Sequence, residues 1–295
     1  MDSRRRMFLK RAGITSLGVA AAGSGTGLYA WRVEPGWIEV STTTLHLPRL
    51  QPAFAGYRIV QLSDIHVDHT WMDKKRLEAI VALANEQKPD LIVVTGDFVT
   101  YVRQDTKDVL STLQALQAHD GIFGILGNHD YWSNPSAVRT YIAAFGIEEL
   151  KDRVTTIHRG SQALHLVGMD DLWISAYEPA PNPWIFQALL TSLVKQLPEE
   201  GTAILLVHEP DFADVAANSK RIDLQLSGHS HGGQVRFPLL NAPVVPPLGQ
   251  KYVAGFYKVG SMQHYTSRGL GMVSPQVRIN CRPEIAVFTC QPMPM

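Results

Sequence analysis

From about residue 57 onward, apolar positions along the chain follow two alternating rhythms. Short dense runs predict strands buried on both faces: Tyr57-Arg58-Ile59-Val60-Gln61-Leu62, Leu91-Ile92-Val93-Val94, Ile122-Phe123-Gly124-Ile125-Leu126, Ala203-Ile204-Leu205-Leu206-Val207 and Ile222-Asp223-Leu224-Gln225-Leu226. Between them, Leu77, Ile80, Val81 and Leu83 recur at helical spacing and predict a helix over 74–86. The stretches 109–118, 136–145 and 184–197 read as further helices. Trp37 to Leu47 alternates apolar and polar residues and stops at Pro48, which predicts an edge or entry strand. Ala163 to Val167 and its neighbours suggest strands of a second sheet. Val277 to Ile279 and Ile285 to Thr289 predict a hairpin or paired strands around Arg282-Pro283-Glu284. Repeated strand–helix–strand order implies an α/β fold with parallel strands, arranged as two facing sheets under flanking helices. The proline-rich stretch Asn241 to Leu248 reads as a surface excursion.

The beginning of the chain breaks this pattern. Residues 1–31 hold five basic residues and one acid, and no charge occurs between Ala12 and Trp31. A positive start followed by an uncharged stretch is a targeting segment rather than part of the fold. Arg5-Arg6-Met7-Phe8-Leu9-Lys10 also resembles the twin-arginine export signal, with Arg4 where Ser or Thr usually stands. The plainer reading is an anchor helix, because about 20 residues span a bilayer. Ala20-Ala21-Ala22 offers an early cleavage site, and retention of the segment would leave a membrane tether. The chain therefore divides into a signal or anchor at 1–31, an entry strand and linker at 32–55, and one large domain at 56–295.

Composition excludes several classes. With 45% apolar and 18% charged residues, the chain buries a core and is not intrinsically disordered. Twenty-seven basic residues balance 27 acidic ones, so no basic excess drives nucleic-acid binding. Two cysteines, Cys281 and Cys290, exclude a disulfide scaffold and a four-cysteine zinc module. They are either one disulfide or two separate buried thiols.

The chemistry lies where the buried runs end. Asp64 and His66 follow the first run, Gly96-Asp97 the second and Gly127-Asn128-His129-Asp130 the third. His208-Glu209 follows the fourth, and Gly228-His229-Ser230-His231-Gly232-Gly233 the fifth. Sites in α/β sheets form at the carboxyl ends of strands, so these groups should converge. Carboxylates, imidazoles and an amide oxygen together suit zinc, manganese or iron. If extended, Asp64-Ile65-His66 and His229-Ser230-His231 each aim two ligands at one point. Taken alone, Asp64 or Asp97 would be an ordinary helix cap. His46, His69, His119, His158, His165 and His264 lie outside the blocks and read as surface or hydrogen-bonded histidines.

These five blocks, in this order, resemble the calcineurin-like metallophosphoesterases over about residues 57–290. Gly228-His229-Ser230-His231-Gly232-Gly233-Gln234, Ser267-Arg268-Gly269-Leu270-Gly271 and Arg282-Pro283-Glu284-Ile285 are similar to its exported bacterial YkuE/YaeI-type branch. The resemblance implies a four-layer α/β/β/α sandwich of two mixed sheets. It implies two divalent ions per chain, manganese, zinc or iron. Asp64, His66, Asp97 and His231 would hold one ion, with Asp97 bridging to a second held by Asn128, His208 and His229. His129 would face the substrate as the catalytic acid or charge stabiliser, with Asp130 orienting or polarising it. Thr100 stands where many members carry an acid. Tyr131 and Trp132 would wall the pocket or simply pack, and Arg268 would bind phosphate or form an ion pair.

The implied activity is hydrolysis of phosphoric esters, in particular phosphodiester cleavage in the cell envelope, on a phospholipid or an envelope polymer. Paired cations about 3.5–4 Å apart hold both the attacking and the phosphoryl oxygens of such a reaction. The alternatives are a lipid-linked pyrophosphatase of the UDP-diacylglucosamine type, whose substrate lies on the cytoplasmic side, and a noncatalytic metal-binding envelope protein. The implied partner is the twin-arginine translocase, and the implied location the periplasm or the outer face of the cytoplasmic membrane.

Overall fold

The computed structural model describes residues 25–68, 70–238 and 242–294. Its described strands form two six-stranded mixed sheets. The first contains β1 (Glu39–Leu47), β2 (Tyr57–Leu62), β3 (Leu91–Thr95), β4 (Ile122–Ile125), β5 (Glu148–Glu149) and β12 (Glu284–Pro292), in the order β1-β12-β2-β3-β4-β5. The second contains β6 (Arg153–Arg159), β7 (Gln162–Gly168), β8 (Thr202–Leu206), β9 (Leu224–Ser227), β10 (Gly255–Val259) and β11 (Met262–Thr266), in the order β10-β11-β9-β8-β7-β6. Strands β2 to β5 run parallel, as do β7, β8, β9 and β11. Edge strands β6 and β10 and the inserted β12 supply the antiparallel pairs.

The apolar runs are continuous because each strand serves two cores. Leu91 and Val93 of β3 face the second sheet, where they meet Leu164, Leu166, Ile204 and Leu206. Ile92 and Val94, pointing the other way, pack under the helices with Leu77, Ile80, Val138 and Ile142. In β8 the same alternation sends Ala203 and Leu205 outward to Leu190, Leu193 and Val215. Helices α1 (Lys74–Glu86), α2 (Thr106–Leu110) and α4 (Pro135–Ala144) therefore cover the first sheet, with α3 (Asn128–Ser133) at the end of β4. Helices α5 (Gln187–Val194) and α6 (Ala213–Asn218) cover the second. Asp73 caps α1 by accepting from the Arg76 N–H at 2.8 Å, which fixes the predicted start of that helix.

Three expectations need correction. The helix predicted over 109–118 ends at Leu110 and continues as a 3₁₀ turn over Ser111–Ala115. Ser111 donates its hydroxyl to the Asp108 carbonyl at 2.6 Å, a local bond that competes with helix continuation. The helix predicted over 184–197 begins as a 3₁₀ turn at Pro183–Phe186 and is α-helical only to Val194. The hairpin predicted around Arg282-Pro283-Glu284 does not form. Ile279 bridges to Val235, whereas β12 inserts between β1 and β2. Arg278 is the reason: its fully buried guanidinium donates to the carbonyls of Arg268, Gly269, Gly271 and Cys281, pinning this stretch to the loop after β11. The β10–β11 hairpin around Gly260 was not anticipated, because β10 alternates half-buried with exposed positions and lacks an apolar run. Both cysteines are buried free thiols, Cys290 between the sheets and Cys281 beside the His231 carbonyl.

Arg5-Arg6 and the stretch to residue 24 lie outside the described residues. Among the described residues, no helix is long and apolar enough to cross a membrane.

Glu284 ties the two sheets together where β12 begins. Its carboxylate accepts from Ser41 on β1 at 2.5 Å, Tyr265 on β11 at 2.6 Å and the Arg268 guanidinium at 3.0 Å. Burial would raise its pKa, but Arg268 and these hydroxyls outweigh that and hold it below the usual range. Glu284→Ala should cost about 3 kcal/mol in urea unfolding at neutral pH, the scale for breaking a buried ion pair. A depressed carboxylate stabilises above its unfolded pKa and loses that contribution as pH falls through its folded value. The gap between wild type and variant should therefore close below about pH 4, and a gap independent of pH would refute the ion-pair account.

Candidate metal centre

Polar groups leave five adjacent strand ends and meet where the two sheets abut. Asp64 and His66 come from β2, Asp97 from β3, Asn128 and His129 from β4, His208 from β8, and His229 and His231 from β9. The extended geometry expected of Asp64-Ile65-His66 and His229-Ser230-His231 does not occur. Asp64, His66, Asp97, His229 and His231 instead have φ of 49°, 49°, 54°, 68° and 51°. Left-handed backbone at a non-glycine residue costs about 1–3 kcal/mol and persists only where surroundings enforce it. The neighbours leave little room: a Cβ on Gly228 would lie 2.3 Å from Asp64 Oδ2, and one on Gly96 would lie 2.5 Å from His208 Nδ1. Gly96 itself sits at φ 94°.

Ligand atoms of Asp64, His66, Asp97 and His231 lie within 4.8 Å of one another, all buried. His66 Nε2 is 3.0 Å from His231 Nε2, and His231 Nε2 is 3.4 Å from Asp64 Oδ1. Beside this group stand His208, His229 and Asn128, with His229 Nδ1 2.8 Å from Asn128 Oδ1. Asp97 Oδ2 is 3.3 Å from both His66 Nε2 and His208 Nε2, so one oxygen faces both groups.

The ring contacts behind the ligands decide which nitrogens point inward. His208 Nδ1 donates to the Thr95 carbonyl at 2.7 Å, which turns its Nε2 toward Asp97. His229 Nε2 donates to the Pro247 carbonyl at 2.7 Å, which turns its Nδ1 lone pair toward the Asn128 oxygen. Thr100 places its hydroxyl 3.2 Å from His66 Nδ1. Two facing lone pairs at 2.8 Å repel unless positive charge lies between them. Asp64 Oδ2 and His208 Nε2 are likewise buried without hydrogen-bond partners. This donor set, hard oxygens with imidazole nitrogens, fits a divalent cation.

Two of the shifts belong to one ion pair. Burial would lower His208, but Asp97 outweighs it and holds the ring well above its usual range. Burial would likewise raise Asp97, but His208 first of all holds it well below the carboxylate range. Asp64 is pushed upward by burial first and by the Asp97 charge after it, against the pull of His208. Burial lowers His229 to about 3 and His231 well below its usual value, so both rings stay neutral and able to coordinate.

His129 lies beside this cluster without entering it. Its ring meets His66 edge-on at 4.7 Å and Trp132 at 5.0 Å, and its backbone N–H donates to Asp97 Oδ1 at 2.9 Å. Burial pulls its pKa down to about 4, against the attraction of Asp97. The role expected of Asp130 is not the one formed. Asp130 accepts from the N–H groups of Phe98, Val99 and Gly127 at 3.1–3.2 Å, while His129 Nδ1 has no partner. Successive residues of a helix point about 100° apart, so Asp130 faces the β3 loop when His129 faces the cluster. Asp130 positions the Asp97 loop. Burial and then Asp97 raise its pKa to about 7, against those three N–H donors.

A cavity of about 700 Å³ opens over Asp97, Asn128, His129, His229 and His231. Trp132 and Trp173 form one side, with Trp132 Nε1 donating to the Trp173 carbonyl at 2.9 Å. Tyr131 instead packs with Arg139, Lys151 and Asp170. Arg268 pairs with Glu39 and Glu284 and is absent from the lining. Pro243 to Pro247, expected to be a mere excursion, builds a wall of the cavity and supplies the carbonyl that fixes His229. Nothing in its composition announced this, because the acceptor is a backbone group. His165 and His264 are buried and hydrogen-bonded elsewhere, at Thr156 and Gln225. His69 lies outside the described residues.

The calcineurin-like phosphoesterase family model matches residues 57–233, the span that carries all five blocks. The chain is 36% identical to the metallophosphoesterase YkuE of Bacillus subtilis over 292 residues, covering 97% of this chain and 96% of that protein. It is 33% identical to YaeI of Escherichia coli, named a phosphodiesterase, over 295 residues, covering 98% of this chain and 99% of that one. On its five strand-end blocks, its buried aspartate–histidine cluster and these matches, the chain belongs to the calcineurin-like phosphoesterase family.

Proposed function

We propose that this protein is a phosphodiesterase of the cell envelope that works with two divalent ions, manganese, zinc or iron. The observation that carries the reading is Asp97 Oδ2, placed 3.3 Å from an imidazole nitrogen of each ligand group, as a bridging carboxylate requires. Asp64, His66 and His231 would complete one site, and Asn128, His208 and His229 the other. When bound, such a pair would neutralise phosphoryl charge and make water a stronger nucleophile near neutral pH. The chain supplies the rest. Thr95, Thr100 and Pro247 fix the imidazoles, so little reorganisation accompanies reaction. His129, uncharged and beside the cavity, offers a ring N–H to an oxygen of the ester, and Trp132 and Trp173 exclude water from one side. YaeI, similar over nearly its whole length, is named a phosphodiesterase, which supports the choice of diesters over monoesters. The complete ligand set weighs against a noncatalytic role, since none of the eight polar positions in the five blocks has been replaced.

Asp97→Asn should lower metal content from about two ions per chain to below one and reduce kcat by at least ~100-fold, because a neutral amide bridges two cations poorly. Elemental analysis with a diester assay tests this, and a variant with full metal and full activity would remove the bridge from the proposal. His129→Ala should keep its metal and lose at least about tenfold in kcat on diesters with poor leaving groups. Nitrophenyl esters should suffer less if His129 protonates the leaving oxygen, and equally if it only stabilises charge.

The proposed location rests on the twin-arginine resemblance, because that route carries folded proteins. A site drawn from five strand ends does not exist before folding, so metal binding and folding are coupled. Loading inside the cell would fix the metal before stronger competitors outside could bind. Changing Arg5→Lys together with Arg6→Lys should leave a folded, active enzyme inside the cell, whereas wild type reaches the outer face of the membrane. Fractionation with activity measured in each compartment decides, and unchanged export of the double variant would count against twin-arginine transport.

A further inference from the structure

The cavity over the metal centre has two unlike ends. At the centre lie Asp97, Asn128 and the imidazoles; away from it the wall consists of Val235, Phe237, Val244, Val245, Val273 and Val277 with intervening prolines. The backbone polarity of this wall is turned inward. Gln234 donates to the carbonyls of Val273 and Pro275 at 3.0 and 3.1 Å and accepts from the Val273 N–H at 2.8 Å. No lysine or arginine is among the described lining residues. A nucleotide or a polyphosphate polymer carries further anionic groups that need such cations. This wall has none to offer, and a substituent without charge is what it can hold.

The rim points the same way. Val244 is 76% exposed and Phe237 45% exposed, so the apolar surface continues out of the cavity. The N–H of Arg278, next to Val277 in the wall, donates to the Ala30 carbonyl at 2.9 Å. The segment docked there exposes Leu28, Tyr29, Trp31 and Val33, with Arg32 stacked on Trp31. Aromatic and aliphatic residues with a basic neighbour are characteristic of a lipid–water boundary.

Building on the phosphodiesterase reading, we infer that the substrate carries an aliphatic chain beside its phosphate, and that the chain lies along Val235, Phe237, Val244, Val245, Val273 and Val277. The manganese-loaded enzyme, assayed on nitrophenyl phosphodiesters of methyl, butyl and octyl alcohols below their micellar concentrations, should gain about fourfold in kcat/KM per methylene buried. Val244→Asp and Phe237→Asp, both at exposed positions, should flatten that series. Calorimetric binding of octylphosphonate against methylphosphonate gives a readout without turnover, and the octyl compound should bind at least about tenfold tighter to wild type alone. A methyl ester hydrolysed as well as an octyl ester, with equal phosphonate affinities, overturns the chain assignment and leaves the phosphodiesterase reading standing. Chain-dependent phosphonate binding without hydrolysis of any diester upholds the chain assignment and overturns the activity. Hydrolysis of phosphatidylglycerol in vesicles as well as the soluble series places the chain's source in a bilayer, and hydrolysis of the soluble series alone places it in a dispersed amphiphile; both uphold the assignment.

Discussion

Everything at this site depends on a carboxylate that has been taken out of water. Asp97 is 1% exposed at the junction of the two sheets, and it remains an anion because imidazoles and the His129 N–H surround it. An isolated buried charge of this kind would cost several kcal/mol. Its neighbour Asp64 adds a second acid to the same volume, so the arrangement is electrostatically incomplete without positive charge. Backbone strain belongs to the same account. Five ligand residues hold left-handed dihedrals, and the close approach of Gly96 and Gly228 to those ligands is what the surrounding structure must enforce.

The parts of this design that were legible in the sequence are those written in side chains. Leu91-Ile92-Val93-Val94 could be recognised as a strand because both of its faces are buried, and the convergence of the polar side chains could be foreseen because each follows such a run. What escaped was written in the backbone or in distant pairing. The Thr95 and Pro247 carbonyls orient two ligand histidines, and a carbonyl has no residue type by which to notice it. Asp130 has the right residue type beside the right histidine, yet helix geometry turns it away. The fate of Val277 to Ile279 was settled by Arg278, which looks like any surface arginine until its four carbonyl partners are seen.

The cavity shows how one fold separates chemistry from selection. The metal ligands sit on strand ends braced by two sheets, where small displacements are resisted by close packing. The aliphatic wall is built from loops, 235–237, 243–247 and 273–277, that carry none of the ligands. Loops tolerate change more readily than strand ends do. A change in these loops can therefore alter the wall while leaving the strand-end cluster in place.

The position of β12 has a consequence for the ribosome. The first sheet runs β1-β12-β2, so its last-made strand fills a slot between its two earliest. All seven proposed ligands have been synthesised by His231, yet β1 and β2 cannot yet pair through β12, and Glu284 has not arrived to hold Arg268. Gly269 and Gly271, which pack against Asp64 and His66, and the Arg278 guanidinium that holds their carbonyls also come late in the chain. A nascent polypeptide thus possesses these side chains well before it possesses the frame that aims them.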